Sequence, residues 1–136
     1  MLVSSEWGDT EAVREVQNHR DLKVWQISVD LVETVYRLSR HWPNHELYGL
    51  VSQARRASVS VPANIAEGAG RRSTGEFIQF VGIARGSLAE LETLFVVAGR
   101  LGYLEDGVLE HLLNDVAEVG RMLTGLMQSL RDRQVR

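Results

Sequence analysis

Apolar residues recur at steps of three and four along most of this chain, and the steps mark out four helices. In the clearest of them Phe77, Val81, Ala84, Leu88, Leu91, Phe95 and Ala98 alternate steps of four and three, the seam of a helical bundle. A second seam runs through Leu109, Leu112, Val116, Val119, Leu123, Leu126 and Leu130. Nearer the start, Val24, Ile27, Leu31, Val35 and Leu38 form a stripe widened by Trp25, Val32 and Tyr36. Leu47, Leu50, Ala54, Ala57, Val61 and Ile65 form the next. No stretch alternates with period two for long enough to make a strand. Helices are therefore expected at about 23–40, 45–69, 74–101 and 107–131, after a polar extension over 1–20 and before a short tail over 132–136. Pro43 breaks the first helix from the second, because it disfavours helical geometry at Trp42. Asn44 and Asp106 are the expected caps of the second and fourth helices. Short connections between four amphipathic helices predict an all-α, antiparallel up-down-up-down four-helix bundle. Burial of the stripes drives it, and polar substitution at Leu88 or Leu91 should damage it most.

The segment "VPANIAEGAGRRSTGEF", residues 61–77, separates the second and third helices. Its glycines and paired arginines invite comparison with phosphate-cradling loops, but the context differs. A Walker loop needs a lysine after its second glycine and a preceding strand, and a dinucleotide loop needs a third glycine where Ser73 stands. A helix corner fits better. Ser73 and Glu76 have the spacing of a capping box. Gly68 or Gly70 is expected to take the left-handed conformation that ends the second helix. Pro62 should kink that helix by depriving the Ser58 carbonyl of its partner, leaving backbone groups for Ser58, Ser60 or Asn64 to satisfy. Glu67 stands four residues before Arg71, a favourable helical pair.

Charge alters this picture locally rather than in sum. The net charge is −3, which argues against a strongly basic nucleic-acid binder. Residues 55–100 nevertheless carry six arginines against four acids, while residues 101–120 carry five acids and neither lysine nor arginine. The last sixteen residues hold four arginines against one aspartate, and Lys23 is the only lysine. Arginine's planar fork suits phosphate, although the bias equally fits genome composition. Arg55, Arg56, Arg71, Arg72 and Arg85 are the candidate nucleic-acid contacts. Arg71 and Arg72 precede a helix N-terminus, where free N–H groups and the helix dipole favour an anion. Arg56 also fits a buried structural ion pair.

Catalytic chemistry finds little footing. The chain has no cysteine, which excludes disulfides, thiolate catalysis and Cys-ligated zinc. None of His19, His41, His45 and His111 has a glutamate three positions before it, so the ligand pairs of a di-metal bundle are missing. Glu67 and Glu90 would be paired carboxylates only if the fold brought them together. Glu90 equally suits a hydrogen-bond network with Arg56 or Gln53. Gly82 and Gly86, beside Ser87, are expected to open a shallow groove on the third helix. No run approaches the roughly 20 apolar residues of a membrane span, and the first twenty residues lack a signal-peptide pattern. The composition fits a cytoplasmic protein with no cofactor, metal or membrane partner.

The stretches "DLKVWQ" and "LYGLVSQARRASVSVPANIAEGAGRRSTGEFIQFVGIARGSLAELETLFVVAGRLGYL" resemble the four-helix-bundle family encoded within intervening sequences of bacterial 23S ribosomal RNA genes. Gln53, Arg56, Ser60, Asn64-Ile65-Ala66-Glu67-Gly68, Arg72, Phe77 and Ala84-Arg85-Gly86-Ser87-Leu88, then Glu90, fall in the family's order and spacing. The likeness covers roughly residues 21–130. It implies a ring of five subunits and no established enzymatic activity. Accessory variability proteins of diversity-generating retroelements are a related branch, similar in fold. They are basic pentamers that bind a reverse transcriptase and nucleic acid. This chain departs from them in charge, with a pI near 5.8. Two functions of different class follow: a nucleic-acid-associated scaffold, preferring RNA, or a protein–protein adaptor ring that binds an unidentified protein. Off-seam Ile78, Ile83 and Val97 are the apolar residues available for subunit contacts.

Overall fold

Four α-helices form where the apolar steps place them: α1 (Lys23–Ser39), α2 (Ser52–Ala69), α3 (Thr74–Arg100) and α4 (Asp106–Val135). The computed structural model describes residues 18–135, and among these there is no strand. Short links make successive helices antiparallel, so the chain runs up, down, up and down about one apolar core. Residues 1–17 of the expected extension lie outside the described residues. Its last residues enter a 3₁₀ turn at His19–Asp21, with Asn18 accepting from the Arg20 N–H. The stretch expected as a tail continues α4 through to Val135.

The α3 seam is buried at every expected position, with Val81, Ala84, Leu91 and Ala98 fully enclosed. On α4 the seam is buried from Leu112 to Leu130, joined by Met127 and Ser129. The α1 stripe is rotated slightly from the expected one. Val24, Ser28, Leu31, Val35 and Ser39 are buried, while Ile27 and Leu38 are only partly covered. Small hydroxyls can take core positions because each returns its proton to its own helix. Ser28 donates to the Trp25 carbonyl, Ser39 to that of Tyr36 and Ser58 to that of Arg55.

The entrance to α2 differs from a plain capped helix. Pro43 holds extended backbone, a 3₁₀ turn follows over Asn44–Glu46, and a wide π-like turn occupies Leu47–Val51, kinked at Gly49 (φ −111°, ψ −109°). Asn44 is the first residue of the 3₁₀ turn rather than a cap. The capping acceptor is Glu46, whose Oε1 takes the Leu50 N–H. The wide turn rotates Leu47 out of the stripe, leaving it 48% exposed, and Val51 is buried instead. Asp106 likewise stands inside the first turn of α4, where its charge opposes the positive end of the helix dipole.

Neither Gly68 nor Gly70 adopts the left-handed conformation. Gly70 has φ −84°, in the right-handed region. The positive φ falls at Gly102, at 81°, in the link between α3 and α4. There the Tyr103 N–H meets the Ala98 carbonyl and the Gly102 N–H meets that of Gly99, closing α3 with a Schellman motif. Gly68 serves another purpose. A β-carbon on it would lie 2.8 Å from Cβ of Phe80 and 2.9 Å from Cδ1 of Phe77. Close packing of α2 on α3 leaves no room there for a methyl group. Pro62 is buried within α2, which remains one helix across it. The Asn64 amide bonds to Ser60, not to the Ser58 carbonyl that the proline deprives.

Gly68→Ala should therefore destabilise the protein by about 1–3 kcal/mol through overpacking. Leu91→Ala should cost about 2–5 kcal/mol through the cavity it leaves. Chemical denaturation followed by circular dichroism measures both, and a Gly68→Ala protein as stable as the parent contradicts the close approach.

Candidate nucleic-acid interface

The corner between α2 and α3 is built from its own polar groups. Ser73 caps α3, its Oγ accepting the Glu76 N–H at 3.1 Å and donating to Glu76 Oε1 at 3.1 Å. Arg71 donates to Glu67 Oε2 at 2.9 Å and lies 3.7 Å from Glu76 Oε2. Its guanidinium also sits over the Phe80 ring, 4.9 Å from the centroid. Two carboxylates thus offset the Arg71 charge, and a capping hydroxyl occupies the helix end. The corner is largely satisfied internally, contrary to the expectation of an open anion site. Arg72 differs, being exposed with no partner among the described residues.

The other arginines stand elsewhere. Arg55 donates from Nε to Ser39 Oγ at 3.0 Å, and its guanidinium lies over the Tyr36 ring at 4.6 Å. Arg56 is exposed and donates to Ser52 Oγ at 3.1 Å. It is not part of a buried ion pair. Arg85 donates to Met127 Sδ across the α3–α4 boundary. Arg56 and Arg71 are fifteen residues apart on or just beyond α2, a separation of roughly 20 Å at helical rise. One subunit therefore holds the five arginines in three separate places: Arg55 with Arg56, Arg71 with Arg72, and Arg85 alone.

The remaining motif residues are sorted by the same geometry. Ser60 Oγ and Ser87 Oγ share a hydrogen bond of 2.8 Å between α2 and α3, and Asn64 Nδ2 donates to Ser60 Oγ at 2.9 Å. This half-buried ladder fixes the register of the two helices. Glu90 is exposed and takes no part in it, joining neither Arg56 nor Gln53, while Glu67 is engaged by Arg71. The expected groove of Gly82, Gly86 and Ser87 does not form. A β-carbon at Gly82 would touch Met127, one at Gly86 would meet open space, and Ser87 turns toward Ser60. A shallow depression between α3 and α4 lies beside them instead, lined by Arg85, Leu88, Ala89, Glu92, Gly120 and Arg121 among others.

Two features escape sequence reasoning. The first is an open groove of about 650 Å³ between α1 and α2, bordered by Tyr36, Leu47, Tyr48, Val59, Arg55 and Arg56. Tyr48 is 92% exposed. The signal available in the sequence is an aromatic residue directly before a glycine in the broken start of a helix. The second is the bond from Tyr103 Oη to Glu46 Oε2, 2.9 Å, which ties the α1–α2 link to the α3–α4 link. The Leu50 N–H, then the Tyr103 hydroxyl, hold the Glu46 carboxyl below its ordinary pKa. The same bond raises the Tyr103 phenol above its ordinary value. Among the described residues no His, Asp and Glu side chains gather in a group of three or more able to hold a metal ion. No helix among them is long and apolar enough to cross a membrane.

The model of the 23S rRNA-intervening sequence protein family matches residues 20–125. The chain belongs to that family. It is also similar to a solved protein of unknown function from the S23 ribosomal protein family of Bacteroides thetaiotaomicron VPI-5482. The identity is 24% and the TM-score 0.72, over 77% of this chain and 95% of that one. None of the curated proteins compared matches. The structural likeness supports the fold.

The Glu46–Tyr103 bond predicts a definite pH dependence. A lowered carboxyl pKa gives stability that is complete above the unfolded value of about 4.5 and is lost as pH falls through the lowered folded value. A raised phenol pKa gives stability complete below about 10 and lost as pH rises through the raised folded value. Tyr103→Phe should lower stability near neutral pH and narrow its gap from the parent at both extremes. Denaturation midpoints measured across pH test this, and a gap independent of pH contradicts it.

Proposed function

We propose that this protein is a non-enzymatic homo-oligomeric scaffold, a ring of five subunits, that associates with RNA through scattered phosphate contacts. The observation that carries this reading is the state of the arginines. Of the five candidates, only Arg71 has a carboxylate within ion-pair distance among the described residues. Arg55, Arg56, Arg72 and Arg85 present charge that the fold does not use for ion pairing. Arginine left in this condition is suited to bidentate contact with phosphate. The family takes its name from a 23S rRNA intervening sequence, a context in which RNA is at hand.

The ring is supported by what remains outside the core. Ile83 is 51% exposed and Val97 39%, whereas Ile78 is partly buried against the core. A closed ring of identical subunits needs two different, complementary faces on each. It also repeats each separated arginine around its circumference, so weak contacts gain avidity. Five copies at −3 carry −15, so long-range attraction to nucleic acid is poor and the contacts act only at short range.

Two measurements test the reading. Light scattering at micromolar concentration should give a pentamer mass. Ile83→Arg should lower that mass without loss of helical circular dichroism, and a monomeric parent refutes the ring. Labelled RNA should be retained at about 20 mM salt and released steeply as salt rises. Arg72→Ala should weaken retention more than Arg71→Ala, because Arg71 is already neutralised. If neither RNA nor DNA is retained at low salt, the adaptor ring becomes the better account of the exposed Leu47 and Tyr48.

A further inference from the structure

The groove between α1 and α2 lies at the opposite end of α2 from the glycine-rich corner. Its chemistry is unlike the rest of the surface. Tyr48 contributes almost no buried area to the fold, yet the turn that carries it is tied down on either side. Glu46 Oε1 accepts the Leu50 N–H, and Glu46 Oε2 is fastened to Tyr103. The π turn that carries Tyr48 is thereby braced on both sides of the ring. An aromatic ring on a tied turn has only its two side-chain torsions to lose when a flat partner stacks on it.

The charged side chains that line it are of one sign. Arg55 and Arg56 line the groove. A smaller depression sharing Leu47, Val51 and Arg55 extends it to Arg40. No carboxylate lines either part. Arg55 is preorganised, with Nε on Ser39 Oγ and Nη2 near the Tyr36 carbonyl. Its Nη1 has no partner among the described residues.

We propose that this groove binds single-stranded nucleic acid, with a base stacked on Tyr48 and the flanking phosphates held by Arg40, Arg55 and Arg56. The inference rests on the reading of the protein as an RNA-associated scaffold and adds a site to it. The pairing of an exposed ring with fixed guanidinium groups distinguishes this ligand from a peptide, which would exploit Leu47 and Val59 but leave Tyr48 idle. Stacking is tolerant of sequence, because every base has a π face. A duplex keeps its bases stacked on one another and offers only phosphates.

The test is fluorescence anisotropy with labelled oligo-U and oligo-dT of about 12 nucleotides, within the span of known single-strand sites, beside a duplex of the same length. Single strands should bind more tightly than the duplex. Tyr48→Ala should weaken single-strand binding roughly 5- to 100-fold, the size of one lost base stack, and Tyr48→Phe should retain it. Arg40→Ala with Arg56→Ala should flatten the salt dependence. Tyr48 is so exposed that its variants should fold, and circular dichroism with light scattering confirms this. Equal loss in Tyr48→Phe and Tyr48→Ala overturns stacking. Unchanged binding by Tyr48→Ala, with loss in Arg71→Ala/Arg72→Ala, overturns the groove while the scaffold reading stands. Absence of any binding by the parent removes both. Preference for oligo-U over oligo-dT identifies RNA as the ligand, and equal binding identifies single strands of either kind.

Discussion

The close fit of α2 against α3 is the constraint on which the rest of the structure depends. Gly68 lies against Phe77 and Phe80 with no space for a methyl group, and Ala54, Ala57 and Ala84 are enclosed along the same two helices. Small residues let two backbones approach, and the Ser60–Ser87 bond then sets which turns face one another. Once α2 and α3 are close and in register, the chain between them can be only a few residues long. Ser73 must cap α3 almost as soon as α2 ends. Arg71 is consequently caught between Glu67 on one helix and Glu76 on the other, with Phe80 beneath it. The arginine that sequence position makes most conspicuous is thus the one whose charge the fold consumes.

The opposite end of the bundle is organised by a different interaction. Two links, α1–α2 and α3–α4, meet where Glu46 joins Tyr103, and the Trp42 and Tyr103 rings lie 6.2 Å apart beside that bond. Because Glu46 also caps the π turn, a single carboxylate couples the shape of that turn to the neighbouring link. The turn in its wide form expels Leu47 and Tyr48 from the core and draws Val51 in. Exposure of an aromatic side chain here is therefore a product of local hydrogen bonding, not a failure of packing.

Legibility in the sequence followed the range of the interactions. The seam of α3 was readable residue by residue, because a continuous apolar face imposes its period on the chain. Ser73 with Glu76, and Glu67 with Arg71, were readable because both pairs act within one helical turn. The rotation of the α1 stripe onto Ser28 and Ser39 was not, since a serine counts as polar until its proton is seen returning to its own helix. The left-handed residue is expected at Gly68 or Gly70 and stands at Gly102. A glycine's sequence does not reveal whether it serves conformation or close approach, and Gly68 serves the latter. The groove at Tyr48 is hidden because it brings Tyr36 of α1 beside residues 47–60, and the neighbouring turn is tied to a residue 57 positions away.

Net charge and local charge lead to different conclusions about partners, and the geometry shows why both hold. Acids dominate residues 101–120, on α4 and the link before it, while three of the four candidate arginines without carboxylate partners, Arg55, Arg56 and Arg72, stand on α2 or just after it. At separations beyond the roughly 8–10 Å over which salt screens charge, a polyanion feels little of the acidic sum and is not drawn in. Within that distance it meets individual guanidinium groups whose neighbours are apolar, aromatic or hydroxyl. On the proposed reading such a surface would bind nucleic acid weakly in general and favour ligands that can place a phosphate or a flat ring in a short-range site. A flexible single strand could reach several of these separated points at once, whereas a stiff duplex could not bend to meet them without a deformation cost.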